Sequence, residues 1–255
     1  MKYLSLENIN KDFNSRQVLK NISFSIEKGQ FVSIIGKSGS GKSTLFNIIA
    51  GLEKADSGNV ILNGKDITNK TGEVSYMLQK DLLFPYYTIL DNAILPLVIK
   101  GEKKSEARII ANKLFKEFDL EGCQKQYPKE LSGGMRQRAA LLRTYLTGKD
   151  IILLDEPFSA LDLITKRQMQ QWYLSKIKKL NLTGLLITHD IEEAIILSDR
   201  ILILKNLKEN PEPSIQSNLV KEIILPEEKY KKADFIFSDD FLKIKKEISL
   251  LINEN

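Results

Sequence analysis

The chain has 255 residues, of which 42% are hydrophobic and 28% charged, and its net charge is +5. This composition predicts one large folded domain, or one domain with a modest extension, and excludes a chain that is disordered throughout. The weak positive charge leaves open a contact with anionic lipid or nucleic acid, although a solvated surface is the simpler explanation. The single cysteine, Cys123, excludes an intrachain disulfide. We expect no signal peptide, and no apolar run approaches the roughly 20 residues of a membrane-spanning helix.

Two stretches near the N-terminus predict half-buried antiparallel strands. Residues 3–8 and 19–26 alternate apolar and polar side chains, which is the period of a strand with one face on a core. In the second stretch Ile22, Phe24 and Ile26 share the face that we expect to be buried.

An apolar run then leads directly into a glycine-rich turn and a helix. Residues 31–35 predict a buried strand and residues 45–50 a helix. Between them Gly-Lys-Ser-Gly-Ser-Gly-Lys-Ser, residues 36–43, matches the phosphate-binding pattern G-x-x-x-x-G-K-S in the context that the pattern requires. Backbone amides of such a loop cradle phosphate oxygens, with Lys42 on the β- and γ-phosphates and Ser43 on Mg²⁺. A plain glycine-rich turn does not explain this lysine and serine.

The middle of the chain, from residue 82 to residue 146, is predicted to be helical. Ser105 and Glu106 are expected to open one helix there. Apolar residues in and after it recur at helical spacing, namely Ala107, Ile110, Ala111, Leu114, Phe115 and Phe118.

Strands alternate with helices again in the second half of the chain. The predicted buried strands cover residues 151–154, 184–187 and 200–204, and this rhythm indicates a mainly parallel sheet with helices on both faces. A polar segment with Pro211 and Pro213 predicts a loop, and the tail predicts a short strand near Ile223 and a helix from about Asp239. The helix residues that we expect to pack on the core are Leu242, Ile244, Ile248 and Leu251.

Polar residues follow three predicted strands, at the edge where open α/β sheets bind ligands. Asp155 and Glu156 end the strand 151–154, and beside a phosphate loop we expect Asp155 to hold Mg²⁺ and Glu156 to polarise an attacking water. His189, the single histidine, follows the strand 184–187, and Gln79 follows a strand at 75–78. Taken alone, His189 is more simply explained by a structural role, whereas Gln79 is explained equally well as a functional residue or as an ordinary polar residue at a strand end.

A second glycine motif precedes the acidic pair. Residues 131–138 read Leu-Ser-Gly-Gly-Met-Arg-Gln-Arg. With the phosphate loop, this motif and the acidic pair in this order, residues 3–205 resemble the ATP-binding cassette (ABC) ATPases, the subunits that power membrane transporters. The resemblance implies an α/β P-loop NTPase (RecA-like) core with a mainly parallel sheet, an N-terminal antiparallel β subdomain and an inserted α-helical subdomain. We expect the cassette to span residues 1–209, with the helical subdomain at about 83–147, and a short extension packed on the core at 210–255.

The resemblance also gives roles to the polar residues. His189 is expected to contact the γ-phosphate, and Gln79 to touch Mg²⁺ and the attacking water. Phe13 is expected to stack on adenine, although a phenylalanine in the core is an open alternative. The expected catalytic residues are Glu156, His189, Gln79 and Lys42, and the expected metal ligands are Ser43, Gln79 and Asp155. The residues expected to contact ATP are Phe13, Gly36, Lys37, Ser38, Gly39, Ser40, Gly41, Lys42, Ser43, Thr44, Ser132, Gly133, Gly134 and Asp162.

The glycine motif implies two copies of the chain. We expect Ser132 to cap a helix that begins at Met135, which creates a second anion-binding helix end. In the family, two subunits pack head to tail, and Ser132, Gly133 and Gly134 complete the partner's ATP site. Residues 159–162, which include Ser159 and Asp162, match the family's loop that crosses this interface next to the catalytic glutamate, and we expect the second ATPase subunit to be identical.

The resemblance extends to a transport function at the cytoplasmic face of the membrane. The motifs are most similar to the importer group for nitrate, sulfonate and taurine, and importers of thiamine-precursor pyrimidines are close. Separate permease subunits are expected to contact residues 79–98, with a solute-binding protein as an indirect partner and no nucleic acid. We expect Tyr86 and Tyr87 either to anchor that contact or, equally, to be buried in the helical region.

Two other functions remain as alternatives. A soluble ABC ATPase that acts on DNA carries a long coiled coil, for which the stretch from Gly36 to Asp155 is too short, and ribosome-acting versions carry two cassettes. A regulatory module without useful turnover is the other alternative, against which the intact Glu156, Gln79 and His189 argue.

Overall fold

The computed structural model describes residues 2–14, 16–207, 216–226 and 235–253, so the loop predicted around Pro211 and Pro213 lies outside the described residues. The strands are β1 (Lys2–Phe13), β2 (Arg16–Glu27), β3 (Phe31–Ile35), β4 (Ser57–Leu62), β5 (Lys65–Asp66), β6 (Ser75–Met77), β7 (Ile151–Asp155), β8 (Thr183–Ile187), β9 (Arg200–Leu204) and β10 (Leu219–Ile224). The helices are α1 (Lys42–Ile49), α2 (Ile89–Ile99), α3 (Lys104–Phe115), α4 (Gly133–Tyr145), α5 (Leu163–Lys179), α6 (Ile191–Leu197) and α7 (Asp239–Asn253). Within the described residues, no helix combines the length and the apolar character needed to span a membrane.

The chain divides into two compact units. The first contains Met1–Val74 and Tyr173–Asn255, and the second contains Ser75–Trp172. The second unit is therefore inserted in sequence between the two segments of the first. The predicted boundary between residues 209 and 210 stays a prediction.

An antiparallel sheet forms the N-terminal part of the first unit. Its strand order is β2-β1-β4-β5, and β1 pairs with β2 from Lys2 opposite Glu27 to Phe13 opposite Arg16. Side chains of a strand alternate between its two faces, so one face of β2 packs on a core. The predicted face is confirmed, because Ile22, Phe24 and Ile26 are all buried.

A second sheet of the first unit carries the phosphate loop. Its central strand β3 pairs in parallel with β8 on one side and with β9 on the other, and β10 pairs antiparallel with β9. Every residue of β3 and β8 is buried, as expected for parallel strands that are covered on both faces. The predicted strands at 31–35, 184–187, 200–204 and near Ile223 are thus confirmed.

The C-terminal helix α7 shares a core with the second sheet. Ile248 and Phe241 are buried in one cluster with Ile35 and residues of β9 and α6, and Ile244 and Leu251 pack against its edge. Leu242 was predicted on this face, but 56% of its surface is exposed. The buried line follows positions 241, 244, 248 and 251, and a residue next to position 241 points about 100° away from it.

The second unit combines a parallel strand pair with the helical region. Strand β6 pairs with β7, Tyr76 lying opposite Leu153, and helices α2, α3 and α4 all fall within residues 83–147. With the N-terminal antiparallel sheet and the mainly parallel pairing, these helices confirm the predicted α/β fold class.

Two details of helix α3 differ from the prediction. The helix begins at Lys104, with Lys103 at its N-cap, rather than at Ser105. Ala107, Ala111 and Phe115 form the buried line along it, whereas Ile110 is 41% exposed. Residues spaced by four lie on one face of a helix, and this face is the buried one. Ile110 lies at the edge of that face.

Candidate functional site

The loop between β3 and α1 has a backbone that only glycine permits at two positions. A Cβ on Gly36 would lie 2.0 Å from the carbonyl oxygen of Leu204. Gly41 forms the N-cap of α1 with φ +94°, a conformation that costs other residues strain, and a Cβ there would lie 2.7 Å from the side chain of Leu19. The loop therefore turns tightly onto the N-terminus of α1, where backbone amides attract anions.

Lys42 is held inside its own loop. Its ammonium nitrogen donates to the carbonyl oxygens of Gly36, at 2.9 Å, and Lys37, at 3.0 Å, and the side chain is buried. The hydroxyl of Ser40 is also buried and has no hydrogen-bond partner among the described residues. An unpaired buried hydroxyl is costly, so this loop is suited to a ligand that brings hydrogen-bonding oxygens.

Asn218, which the sequence analysis missed, supports the loop from behind. Its amide nitrogen donates to the carbonyl oxygens of Val18, Lys205 and Ser40, at 3.1, 3.2 and 3.4 Å. Its amide oxygen accepts from the backbone nitrogen of Lys20 at 2.9 Å. One buried side chain therefore joins β2, the end of β9 and the phosphate loop.

Four other predicted residues of the first unit are exposed or half-buried. His189 is an exposed side chain between β8 and α6, so it is not a histidine of the core. Phe13 is 42% exposed and the ammonium of Lys11 lies 4.8 Å from its ring centroid, which makes the alternative of a core phenylalanine wrong. Ser43 is exposed and Thr44 half-buried at the start of α1.

In the second unit the acidic pair ends β7. Asp155 is half-buried, and the hydroxyl of Tyr76 donates to its Oδ2 at 3.3 Å. Burial, and then the charge of Asp155, raise the pKa of Tyr76 well above its ordinary value, so the hydroxyl keeps its proton and remains a donor. Tyr76 was not predicted as part of the site.

Glu156 is held in a strained turn by two neighbours. Its φ is +44°, in the left-handed region that side chains other than glycine rarely adopt. The amide nitrogen of Gln79 donates to Glu156 Oε2 at 3.2 Å and to Ser159 Oγ at 3.3 Å, and this hydroxyl donates to the carbonyl of Glu156 at 3.0 Å. The structure thus joins the predicted Gln79 and Glu156 through the hydroxyl of Ser159 as well as directly.

The glycine motif opens helix α4. Ser132 caps the helix, because its hydroxyl accepts from the backbone nitrogen of Met135 at 3.3 Å. The predicted cap is confirmed, but the helix begins at Gly133 rather than at Met135, so both glycines lie in its first turn. A Cβ on Gly134 would lie 3.3 Å from side-chain atoms of Met169 and Thr165. Ser132 is exposed and no acidic residue stands in the first turn, which leaves this helix end attractive to an anion.

Asp162 caps the following helix, α5. Its carboxylate accepts from the backbone nitrogens of Ile164, at 3.1 Å, and Thr165, at 3.0 Å. Hydrogen bonds from the side chain and backbone of Thr165 hold the pKa of Asp162 below its ordinary value. The carboxylate that we expected to contact ATP therefore caps helix α5.

Two arginines of α4 hold the segment after Gln79. The guanidinium of Arg143 donates to the carbonyl oxygens of Asp81 and Leu82, the second at 2.7 Å. Arg136 pairs with the carboxylate of Asp81 at 3.2 Å. The glycine-motif helix is thereby tied to the backbone just beyond Gln79.

The segment then presents aromatic rings to solvent. Asn92, which is fully buried, binds the backbone of Phe84 through both side-chain atoms and also donates to the carbonyls of Tyr87 and Thr88. Tyr86 is 91% exposed, and Phe84 and Tyr87 are exposed as well. Burial of Tyr86 in the helical region, the alternative that the sequence left open, is therefore wrong.

A family model described as ABC transporter matches residues 19–159. The formylaminopyrimidine import ATP-binding protein ThiZ of Halalkalibacterium halodurans is 49% identical over 193 residues, which cover 76% of this chain and 75% of the relative. The aliphatic sulfonates import ATP-binding protein SsuB of Bacillus cereus is 39% identical over 220 residues, which cover 85% of this chain and 86% of the relative.

A solved structure is similar over nearly its whole length. It is a dimeric ATP-binding cassette in a post-hydrolysis state, bound to ADP and Pi. Its sequence is 32% identical, the TM-score is 0.71, and the match covers 88% of this chain and 99% of that one.

Proposed function

The chain belongs to the ABC transporter ATP-binding family, and from that premise we propose that it is the ATP-hydrolysing subunit of an importer. Separate membrane subunits form its permease, and the chain works at the cytoplasmic face of the membrane. The observation that carries this proposal is that two helices of one chain begin directly at glycine motifs, where backbone amides attract anions. One is α1, which follows the phosphate loop at Gly41, and the other is α4, which Ser132 caps.

The first helix end and its loop bind the phosphates of ATP. The amides of residues 36–44 face the phosphate oxygens, and Lys42 exchanges carbonyl partners for the β- and γ-phosphates. The buried hydroxyl of Ser40 gains a partner when phosphate oxygens arrive. Phe13 offers its exposed ring to adenine.

Hydrolysis depends on Glu156 and the residues that hold it. The carboxylate of Glu156 orients the attacking water and takes up its proton, and Gln79 fixes that carboxylate by donating to Oε2. His189 steadies the γ-phosphate, and Lys42 stabilises the charge that develops on it. The strained backbone of Glu156 is consistent with a catalytic position, because such strain concentrates at functional sites.

The donors proposed for Mg²⁺ suit that ion. Ser43 offers a hydroxyl, Gln79 a carboxamide oxygen and Asp155 a carboxylate, and Mg²⁺ is commonly bound by one or two carboxylates together with substrate phosphates. Because the amide nitrogen of Gln79 is committed to Glu156 and Ser159, its oxygen is the atom left for a metal. When bound, Mg²⁺ would neutralise part of the charge on the phosphate oxygens.

Two copies of the chain form the working unit. In this proposal Ser132, Gly133 and Gly134 of one copy bind the γ-phosphate held by the phosphate loop of the other, and Asp162 lies near the contact. ATP then joins the copies, and loss of the γ-phosphate releases them. The dimeric ADP- and Pi-bound cassette to which this chain is similar supports that arrangement. Opening and closing would move the permease between its two orientations.

The permease contacts the exposed aromatic segment. Residues 79–98 connect Gln79 to helix α2, and their rings at Phe84, Tyr86 and Tyr87 are presented on a backbone fixed by Asn92. Aromatic side chains on a rigid support are typical anchors of protein interfaces.

The imported solute is a small organic molecule or anion. A sulfonate or taurine is one candidate, since the chain is 39% identical to an aliphatic sulfonates import protein. A formylaminopyrimidine is the second, and the 49% identity to a formylaminopyrimidine import protein favours it. A solute-binding protein delivers the solute to the permease in either case.

The variant Glu156→Gln tests the catalytic and dimeric parts of this function. We expect it to bind ATP as the wild type does, to lower phosphate release at least about a hundredfold, and to accumulate a dimer in ATP. Light scattering would then give twice the 29.1 kDa mass of the chain with ATP and the monomer mass with ADP. Hydrolysis at the wild-type rate would remove Glu156 from its assigned role.

A further inference from the structure

Tyr76 occupies a defined position beside the acidic pair. It lies on β6 with its Cα opposite Leu153 of the parallel strand β7. Residues in register share a face of a sheet, and Asp155 lies on that same face two positions further, about 6.6 Å along the strand. The tyrosine ring therefore leans toward the carboxyl edge, where its hydroxyl reaches Asp155 Oδ2 at 3.3 Å.

The contact restricts the orientation of the Asp155 carboxylate through one of its oxygens. An ionised carboxylate only accepts hydrogen bonds, and a hydroxyl that donates to Oδ2 fixes the rotation of the group. The carboxylate of Asp155 is then presented in a defined orientation. Partners of this kind orient metal-binding carboxylates, and their loss typically weakens metal affinity.

We propose that Tyr76 is a positioning residue that holds the Asp155 carboxylate in the orientation required for Mg²⁺. This inference rests on the proposed function, because it takes Asp155 as the carboxylate that holds the metal. Tyr76 itself touches neither nucleotide nor metal. Its hydroxyl acts through the hydrogen bond to Asp155, so we expect its removal to weaken metal binding more than nucleotide binding.

The test is the metal affinity of Tyr76→Phe, which removes the hydroxyl and keeps the ring. Mn²⁺ replaces Mg²⁺, and free Mn²⁺ is measured by electron paramagnetic resonance in the presence of a non-hydrolysable ATP analogue. We expect the Mn²⁺ dissociation constant to rise about tenfold. The affinity for a fluorescent ATP analogue in EDTA should stay at the wild-type value, which also shows that the variant is folded.

Tyr145→Phe is the matched control. It removes a tyrosine hydroxyl from the same unit, at a ring that packs on Phe118 with centroids 5.6 Å apart. We expect wild-type Mn²⁺ affinity from this variant. If Tyr76→Phe binds Mn²⁺ as tightly as the wild type, or loses nucleotide affinity equally with and without metal, the positioning role is wrong.

Asp155→Asn separates this inference from the function on which it rests. A large loss of Mn²⁺ affinity in Asp155→Asn, together with no loss in Tyr76→Phe, would overturn only the role of Tyr76. Wild-type Mn²⁺ affinity in Asp155→Asn would overturn the metal role of Asp155 and the inference with it.

Discussion

Lys42 is held by its own loop in a position that suits the proposed contact with phosphate. Two loop carbonyls hold its ammonium, and the side chain is buried. Charge-assisted hydrogen bonds to phosphate oxygens are stronger than those to neutral carbonyls, so exchange of partners on binding is favourable.

Lys42→Ala should therefore lose nucleotide affinity. Loss of a hydrogen bond to a charged group costs about 1.5–3 kcal/mol, so we expect the dissociation constant of a fluorescent ATP analogue to rise at least about tenfold. Lys65→Ala, at an exposed lysine paired with Glu73, is the control and should bind normally. Unchanged affinity in Lys42→Ala would contradict the phosphate-loop assignment.

The residues that sequence predicted are those whose spacing along the chain defines a local motif. Residues 36–43 form such a motif, and Glu156 was found because it ends an apolar strand. Tyr76 and Asn218 carry no such signal, because their partners are remote in sequence: Asp155 for one and Val18 and Ser40 for the other. A polar residue whose partners come from distant strands is recognised only when the register of those strands is known.

At the scale of elements, the phosphate loop depends on a residue outside the predicted cassette. Asn218 precedes β10 and donates to the carbonyl of Ser40 in the loop. Its replacement removes hydrogen bonds to four backbone groups, which are buried or partly buried.

Asn218→Ala should accordingly weaken nucleotide binding without touching the nucleotide. We expect a severalfold rise in the dissociation constant for an ATP analogue and faster amide exchange over residues 36–41, both measured against the wild type. Asn59→Ala, at an exposed asparagine of β4, is the matched control. Wild-type exchange in the loop of Asn218→Ala would show that the loop does not need this support.

The aromatic segment after Gln79 depends on Asn92 in the same way. Both side-chain atoms of this buried residue bind backbone groups between residues 84 and 88. We expect Asn92→Ala to raise the amide exchange rate of residues 84–88. The free energy of local opening of this segment should fall by about 1–3 kcal/mol.

Asn112→Ala provides the comparison for that segment. Asn112 is exposed on α3, so its replacement should leave exchange over residues 84–88 unchanged. If the amides of residues 84–88 exchange at the same rate in Asn92→Ala as in Asn112→Ala, the segment is not held by Asn92.

Element types were predicted more accurately than the faces of single helices. Strands β3, β8 and β9 were recognised because a parallel strand covered on both faces is a continuous apolar run. Ile110 and Leu242 were placed wrongly because helical spacing gives a broad apolar stripe, whereas tertiary packing covers only part of it. The start of α4 was misplaced by two residues because glycine has a low helix propensity, which the Ser132 cap overcomes.

At the scale of the whole molecule, the order of the motifs was the decisive signal. The phosphate loop, the glycine motif and the acidic pair occur in one order along the chain, and all three lie within residues 19–159, which match the ABC transporter family. The C-terminal helix α7 shares a core with Ile35 next to the phosphate loop, which gives a physical reason to retain it in any shortened chain.

The most direct test of the transport function is mass spectrometry of the proteins that copurify with the full chain from mildly solubilised native membranes. We predict recovery of a polytopic permease together with a solute-binding protein, whose bound molecule would then distinguish a pyrimidine from a sulfonate. Recovery of the chain only from the soluble fraction, with ribosomes or nucleic acid, would leave the ATPase intact and contradict its role in import.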